Sequence, residues 1–404
     1  MGVLSWILLA ACMLWSALRF LPAGREAHMP TMPYMIALIR FLWIPYLVIA
    51  VWAGLVGSWW QCGVAVAGIV SILAMQVPYW TNMPRERWHH QRGTSHETAS
   101  DDHRQTARSA DAEPTANPPQ ASGDTYHLMT LNCRYGKASA DAIIAAVRER
   151  HIDVLALQEL STDLIKRLER GGLHRILPYR QLGTPRAKTD NGGFNGIWSR
   201  TKPKRGTHGI VSIPAADVPG IMLQTDDGTS VAFASAHTKS PMRGCREWSD
   251  GIRSLSTLVP TPRKSVSAGT GREERATGSK GGRDGGSAYP DVDIAVLMGD
   301  LNADIDHASF RELLRSGFRD AALAQARGHV NTFPSQVPWP RIELDHSMAA
   351  TRESASGSAA EPARAVAFSG VESFVVEDTD HLALTATMTI CAACRTDSMA
   401  DMRH

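Results

Sequence analysis

The chain has 404 residues, with 42 Lys and Arg against 40 Asp and Glu and a formal charge of +2. That balance excludes the global basic field that carries tight, sequence-independent nucleic-acid binding, and the length leaves room for one large domain with accessory segments. The six cysteines are Cys12, Cys62, Cys133, Cys245, Cys391 and Cys394. They form no evident disulfide framework, and the Cys391-x-x-Cys394 pair lacks the second Cys or His pair of a zinc finger.

Residues 3–21 (VLSWILLAACMLWSALRFL) are apolar for long enough to cross hydrocarbon, and their only charge, Arg19, sits near one end where it can snorkel. A second apolar run covers about 35–55. A third covers about 62–77, flanked by Trp59, Trp60, Tyr79 and Trp80 as in an interfacial belt. Residues 1–81 are therefore expected to hold about three transmembrane helices, giving multi-pass anchoring in a cell membrane. The bland alternative is a buried helical hairpin of a soluble protein. Arg19, Arg25, Arg40, Arg85, Arg87 and Arg92 share the side that carries the C-terminal part, and the positive-inside rule would place that part in the cytoplasm.

Residues 82–124 are rich in Ser, Thr, Ala and Pro and read as a disordered linker, so His89, His90, His96 and His103 read as solvated side chains rather than metal ligands. Residues 125–390 read as one mixed α and β domain, with strands at 126–131, 154–157, 231–236, 294–298, 373–376 and 382–389. Helices are predicted over 140–150, where Ile143, Ile144 and Val147 share a face, and over 308–315, stopped by Gly317. A low-complexity insert at 261–288 reads as a surface loop, and 391–404 as a tail.

Polar residues recur where these strands end: Asn132 after HLMTL, Glu159 after DVLALQ, His237 after VAFASA, Asp300 and Asn302 after IAVLMG, Asp345 in RIELDH, and Asp380 and His381 in TDH. Each alone is explained by a turn or a helix start. Together they supply carboxylates and amides for a hard cation, two histidines, and a carboxylate partner for a histidine. That is an inventory for metal-assisted hydrolysis of a phosphate ester.

The order and wording of LMTLNCRYG, DVLALQEL, FASAHTKSP, LMGDLNAD, RIELDH and TDHLAL resemble the endonuclease/exonuclease/phosphatase superfamily over about 126–390. The resemblance implies a four-layer α/β sandwich, two packed β-sheets flanked by helices. It implies magnesium, with manganese as an alternative, at Glu159 with Asn132 beside it and Asp380 near the metal or its waters. It also implies that Asp300 orients or deprotonates the attacking water and that Asn302 holds the substrate or nucleophile. His381 would contact the scissile phosphate, with Asp345 fixing its tautomer, and His237 would protonate the leaving oxygen or bind the phosphate, with Lys239 adding charge. Asn195 in NGGFNGIWSR lies near the family's Gly-rich strand start. Two departures stand out: Arg134 replaces an acidic residue found in some branches, and Glu343 and Leu344 precede Asp345 where many relatives read R-I-D. Asp345 is taken as the functional carboxylate, with His346 supporting or structural.

The expected function is that of a membrane-anchored, magnesium-dependent phosphoesterase acting on a lipid-linked or membrane-proximal phosphoester. The alternatives are a membrane-tethered nuclease acting on DNA or RNA, which needs a basic, aromatic groove that the sequence does not display, and a non-catalytic membrane adaptor. Membrane-anchored bacterial relatives point outward, against the arginines, and an extracytoplasmic catalytic domain is the expectation adopted.

Overall fold

The computed structural model describes residues 2–81, 125–185, 193–261, 289, 291–352 and 364–392. At the N-terminus, helix α1 (Gly2–Ala17) is followed by the short α2 (Met32–Ala37), α3 (Trp43–Leu55) and α4 (Trp59–Gln76). These helices pack around Leu9, Ile39, Tyr46, Ile49 and Ile72 and turn Leu4, Ile7, Leu14, Val48, Val51, Val66 and Val70 outward. Such an inverted surface suits a lipid environment. Two segments, Val3–Phe20 and Trp59–Tyr79, are long and apolar enough to cross a membrane. The middle run is not one straight helix: Met32–Phe41 and Trp43–Leu55 meet at 54°. Pro45 stands in the first turn of α3, where it has no N–H for the carbonyl of Phe41 and its ring crowds that group, so the helix restarts instead of running on.

The larger part opens with β1 (Thr125–Asn132), α5 (Ala140–Glu149), β2 (Val154–Leu160) and α6 (Thr162–Arg170), then β3 (Tyr179–Leu182) and β4 (Phe194–Ser199). Ser139 and Ser161 cap α5 and α6 by accepting from Ala142 N and Leu164 N. It continues with β5 (Arg205–Thr207), β6 (Gly220–Gln224), β7 (Ser230–His237), α7 (Pro241–Ser254), β8 (Ile294–Asp300) and α8 (Ala308–Arg315). It closes with β9 (Arg319–Asp320), α9 (Ala321–Gln325), β10 (Asp345–Thr351), β11 (Arg364–Val375) and β12 (Leu382–Ala392).

Among the described residues the strands form two six-stranded sheets, ordered β11-β12-β1-β2-β4-β3 and β5-β6-β7-β8-β10-β9. Each has a parallel pair at its centre, β1 with β2 and β7 with β8, joined through a helix and flanked by antiparallel neighbours. Side chains alternate across the sheets. Leu128, Val154 and Ala156 meet Phe233, Val296 and Met298 between the sheets, whereas Met129, Leu131, Leu155 and Leu157 face Ile143, Val147 and Leu164 of the outer helices. On the other flank Ala234, Ala295 and Leu297 pack on Trp248, Ile252 and Phe310. Burial on both faces explains why these strands read as unbroken apolar runs. The result is the expected α/β sandwich with helices on both outer faces.

The N-terminal region is not a separate body joined only through its linker. Glu26, fully buried, accepts from Ala308 N and Ser309 N at the start of α8 at 2.5 and 2.6 Å. Arg19 pairs with Asp306 at 2.6 Å, His307 Nε2 lies 2.9 Å from Pro33 O, Arg40 donates to Asn331 Oδ1 at 2.9 Å, and Gly328 N donates to Tyr79 O at 2.7 Å. Arg19 therefore does not snorkel into water; an acid 287 positions away holds it. The linker expected at 82–124 with its four histidines, nearly all of the insert at 261–288, and Cys394 lie outside the described residues. Strand β12 runs on to Ala392, with Cys391 and Ala392 opposite Ala365 and Arg364.

Candidate active site

The parallel pairs β1/β2 and β7/β8 deliver their C-terminal residues to one end of the sandwich. Register places Asn132 beside Gln158, His237 beside Asp300, and Asp300 beside Asp345. Polar side chains from both sheets therefore converge at this end. The approach requires Gly299, at φ +141°, because a Cβ there would stand 1.9 Å from Ala236 O of the neighbouring strand.

Asp300 is the centre of the cluster. Its Oδ2 accepts from Asn132 Nδ2 at 2.9 Å, and its Oδ1 accepts from the backbone N–H of Asn302 at 2.8 Å. His237 Nε2 lies 3.5 Å and His381 Nε2 3.7 Å from Asp300 Oδ2. His381 Nδ1 donates to Asp345 Oδ2 at 2.7 Å, which fixes the ring. Glu159, at φ +51°, accepts from Tyr135 N at 2.9 Å and approaches His237 Nε2 at 3.8 Å. Asn302 also adopts a left-handed conformation, at φ +49°. Two non-glycine residues in that conformation at strand ends store strain where chemistry is expected.

The two histidines are held in opposite charge states. Burial pushes His237 down to about 4, with Asp300 opposing only in part, so its ring is neutral at pH 7. Burial also works against charge on His381, but Asp345 and Asp300 outweigh it and raise the imidazolium to about 10. Burial, with nearby Asp300 adding to it, lifts Glu159 to about 7. A carboxyl raised in this way beside two further buried acids marks a site short of positive charge. Asp300, Asp345 and His381 each bring a ligand-type atom within 4.8 Å of the others, and among the described residues no hydrogen bond reaches Asp345 Oδ1. The carboxylates of Glu159, Asp300 and Asp345 fit a hard divalent cation, whereas His381, protonated and held by Asp345, does not serve as a ligand.

Seven of the residues singled out in the sequence thus meet in one cluster: Asn132, Glu159, His237, Asp300, Asn302, Asp345 and His381. Asp380 is set apart. Its half-exposed carboxylate lies 3.6 Å from Arg134 Nε, at the edge of the cluster. Lys239 pairs with Glu247 at 3.7 Å, and Asn195 is buried in β4, donating to Asp217 O at 2.9 Å. Glu343 and Asp345 point apart: Glu343 belongs with Asp320 and His346 in a second buried group. His346 is structural, using both ring nitrogens on Asp320 at 3.0 Å and Ala303 O at 2.8 Å.

Three supporting residues escaped the sequence reading. Thr379 donates to Asn132 O at 2.7 Å and so ties the TDH turn to β1. Thr332 Oγ1 accepts from both Leu344 N and Asp345 N at 3.1 Å, fixing the start of β10. Phe333 places its ring 4.9 Å from that of His381. Thr379 stood within a recognised motif. Nothing local distinguishes Thr332 or Phe333 in VNTFP.

A sequence model of the Endonuclease/Exonuclease/phosphatase family matches residues 129–381. No curated protein matches the chain. Among solved structures, a humanized TDP2 of D. rerio is similar at 15% identity with a TM-score of 0.46, covering 66% of this chain and 99% of that one. An endonuclease/exonuclease/phosphatase from Beutenbergia cavernae DSM 12333 is similar at 15% identity and a TM-score of 0.42, covering 66% and 72%. A mutant beta toxin of Staphylococcus aureus with bound magnesium ions is similar at 13% identity and a TM-score of 0.40, covering 65% and 99%. The family match takes in each of the strand-end residues assembled above, and the chain belongs to the endonuclease/exonuclease/phosphatase family of metal-dependent phosphoric ester hydrolases.

Proposed function

We propose that this chain hydrolyses a phosphate ester borne on a lipid or held at the membrane surface, with magnesium as its cation and manganese as the alternative. The observation that carries this reading is where the apolar helices attach. The ends of these helices, with Glu26 between them, contact Asp306, His307, Ser309, Gly328 and Asn331, in the start of α8 and the loops that follow Asp300 and precede Asp345. The site and the membrane-type helices therefore share one end of the sandwich. A substrate in the same bilayer gains effective concentration there.

In this reading Glu159 and Asn132 would hold the cation, with Asp380, at the edge of the cluster, near it or its waters. When bound, it offsets charge on the phosphoryl oxygens and stabilises the charge that develops during displacement. Asp300, fixed by Asn132 and the Asn302 N–H, takes a proton from the attacking water. The Asn302 amide holds substrate or nucleophile. His381, kept protonated by Asp345, donates to the phosphoryl oxygen. His237, neutral at pH 7, suits a hydrogen bond to the phosphate, and the imidazolium of His381 supplies the proton that the leaving oxygen takes as its bond to phosphorus breaks, regaining one from Asp300 3.7 Å away.

The catalytic domain is proposed to lie outside the cytoplasm, with the anchor multi-pass. Arg19 and Arg40, two of the arginines that argue for the inside, are engaged by Asp306 and Asn331, so their position is accounted for by docking. Protease protection in intact cells tests the side. The activity is tested on the full chain in detergent, with magnesium and chelator controls, against lipid-borne phosphoesters, soluble phosphoesters and plasmid DNA. Phosphoester cleavage on a lipid is the expected result, and exclusive cleavage of DNA would replace this reading with that of a nuclease.

A further inference from the structure

The loops around the cluster expose apolar side chains that no interior contact explains. Met242 is 77% exposed and Trp339 60%, and Tyr135 and Val337 are also exposed. Met242 follows His237 by five residues, and Val337 and Trp339 belong to the segment that leaves Phe333, against His381, and arrives at Asp345. Both sides of this rim touch the same N-terminal stretch. Met242 N donates to Tyr34 Oη at 3.2 Å, and the Trp339 ring meets the Phe41 ring edge-on at 5.7 Å. Between Tyr34 and Phe41 the stretch exposes Met35 and Leu38. The exposed apolar residues thus lie on two lips of the site and on the N-terminal stretch that touches both, Met32–Phe41, which runs on through a 54° bend into the apolar Trp43–Leu55.

Basic side chains accompany these apolar residues. Arg243 donates to Tyr135 Oη at 2.6 Å, Arg134 stands beside Asp380, and Arg341 holds its own loop through Pro334 O and Val337 O. Tryptophan, tyrosine, methionine and arginine together are what a surface at headgroup depth requires: an apolar body for the acyl boundary and a charged tip for lipid phosphates.

We propose that Tyr34, Leu38, Met242, Val337 and Trp339 form a bilayer-contact surface that sets the mouth of the site at the level of the headgroups of an anionic leaflet. This rests on the lipid-borne substrate reading and adds how such a substrate arrives: it moves laterally from the leaflet into the site without passing through water. Continuity with the apolar helices selects a bilayer as the occupant over a second copy of the chain.

The test uses the full chain in nanodiscs of equal parts phosphatidylcholine and phosphatidylglycerol, with methionine methyl groups labelled for NMR and the Met242 signal assigned through Met242→Leu. A lipid carrying a nitroxide on its headgroup is expected to broaden the Met242 signal. Broadening by a spin-labelled second copy, or only by a soluble nitroxide, would overturn the proposal. In a Met242→Ser/Trp339→Ser double variant, half-saturation by a lipid-borne phosphoester should need about tenfold more substrate in the bilayer, while turnover of a soluble aryl phosphodiester is unchanged. Equal handling of the lipid substrate by variant and parent would also overturn it. Broadening by the lipid nitroxide without turnover of any lipid phosphoester would remove the substrate reading and leave the contact surface standing.

Discussion

Glu26 Oε1 accepts a hydrogen bond from the backbone N–H of Ser309 at 2.6 Å, so a carboxylate between two apolar segments closes the N-terminus of α8. The same carboxylate takes Ala308 N, and it lies in the field of His307 and Arg311. Favourable charge at a helix start is ordinary; full burial of that charge makes its removal costly. Glu26→Ala in the full chain is expected to lose about 3 kcal/mol, read as a lower midpoint of thermal unfolding in detergent. An unchanged midpoint would show that the two parts do not depend on each other.

His307 gives this docking a pH dependence. Burial opposes its charge, yet Asp304, 2.9 Å away, raises it from 6.5 to about 9. A group raised on folding contributes stability that is complete below its unfolded value and is lost as pH rises through its folded value. The full chain should therefore lose thermal stability between about pH 6.5 and about 9. His307→Gln should make that slope shallower, the raised His346 and His381 keeping part of it, and a scan of unfolding midpoint against pH checks both curves.

At the cluster itself, Asp345→Asn keeps the shape of the partner to His381 Nδ1 and removes its charge. A loss of kcat on the order of a thousandfold with little change in KM is expected, as for a carboxylate that orients a catalytic histidine. Steady-state kinetics on a soluble phosphodiester provide the measurement. Near-parental kcat would remove Asp345 from the mechanism.

Glu159→Gln removes a charge from a crowded acidic site. The expected effect is a rise of about tenfold or more in the magnesium concentration for half-maximal activity, with partial recovery at high metal. A metal titration that superimposes on the parental one would argue that the cation is held elsewhere. Chelation should abolish turnover in the parent, and added magnesium or manganese should restore it.

The sequence by itself determined β1, β2, β7, β8, β12, the end of β11 and the polar residues at which the first four stop, whereas β3, β4, β5, β6, β9 and β10 were not legible in it. An apolar run that stops at Asn132, Glu159, His237 or Asp300 records a buried strand emerging at an edge, and that signal is local. Two outer helices were equally legible, α5 from the shared face of Ile143, Ile144 and Val147 and α8 from its stop at Gly317, whereas α6 and α7 were not. The separation of Asp345 from His346 was set by alternation once β10 was placed, with one facing His381 and the other Asp320.

Tertiary structure decided the partnerships between distant segments. Nothing near Arg19 announces Asp306, and nothing near Thr332 announces the amides of Leu344 and Asp345. Arg19 read alone is a charge at the end of an apolar helix, for which water is the default partner; folding supplied an acid instead. The apolar N-terminal helices and the family domain looked like two parts joined by a linker because hydrophobic patterning reports what each segment buries, whereas the buried ions and single hydrogen bonds that join them leave no period in the sequence.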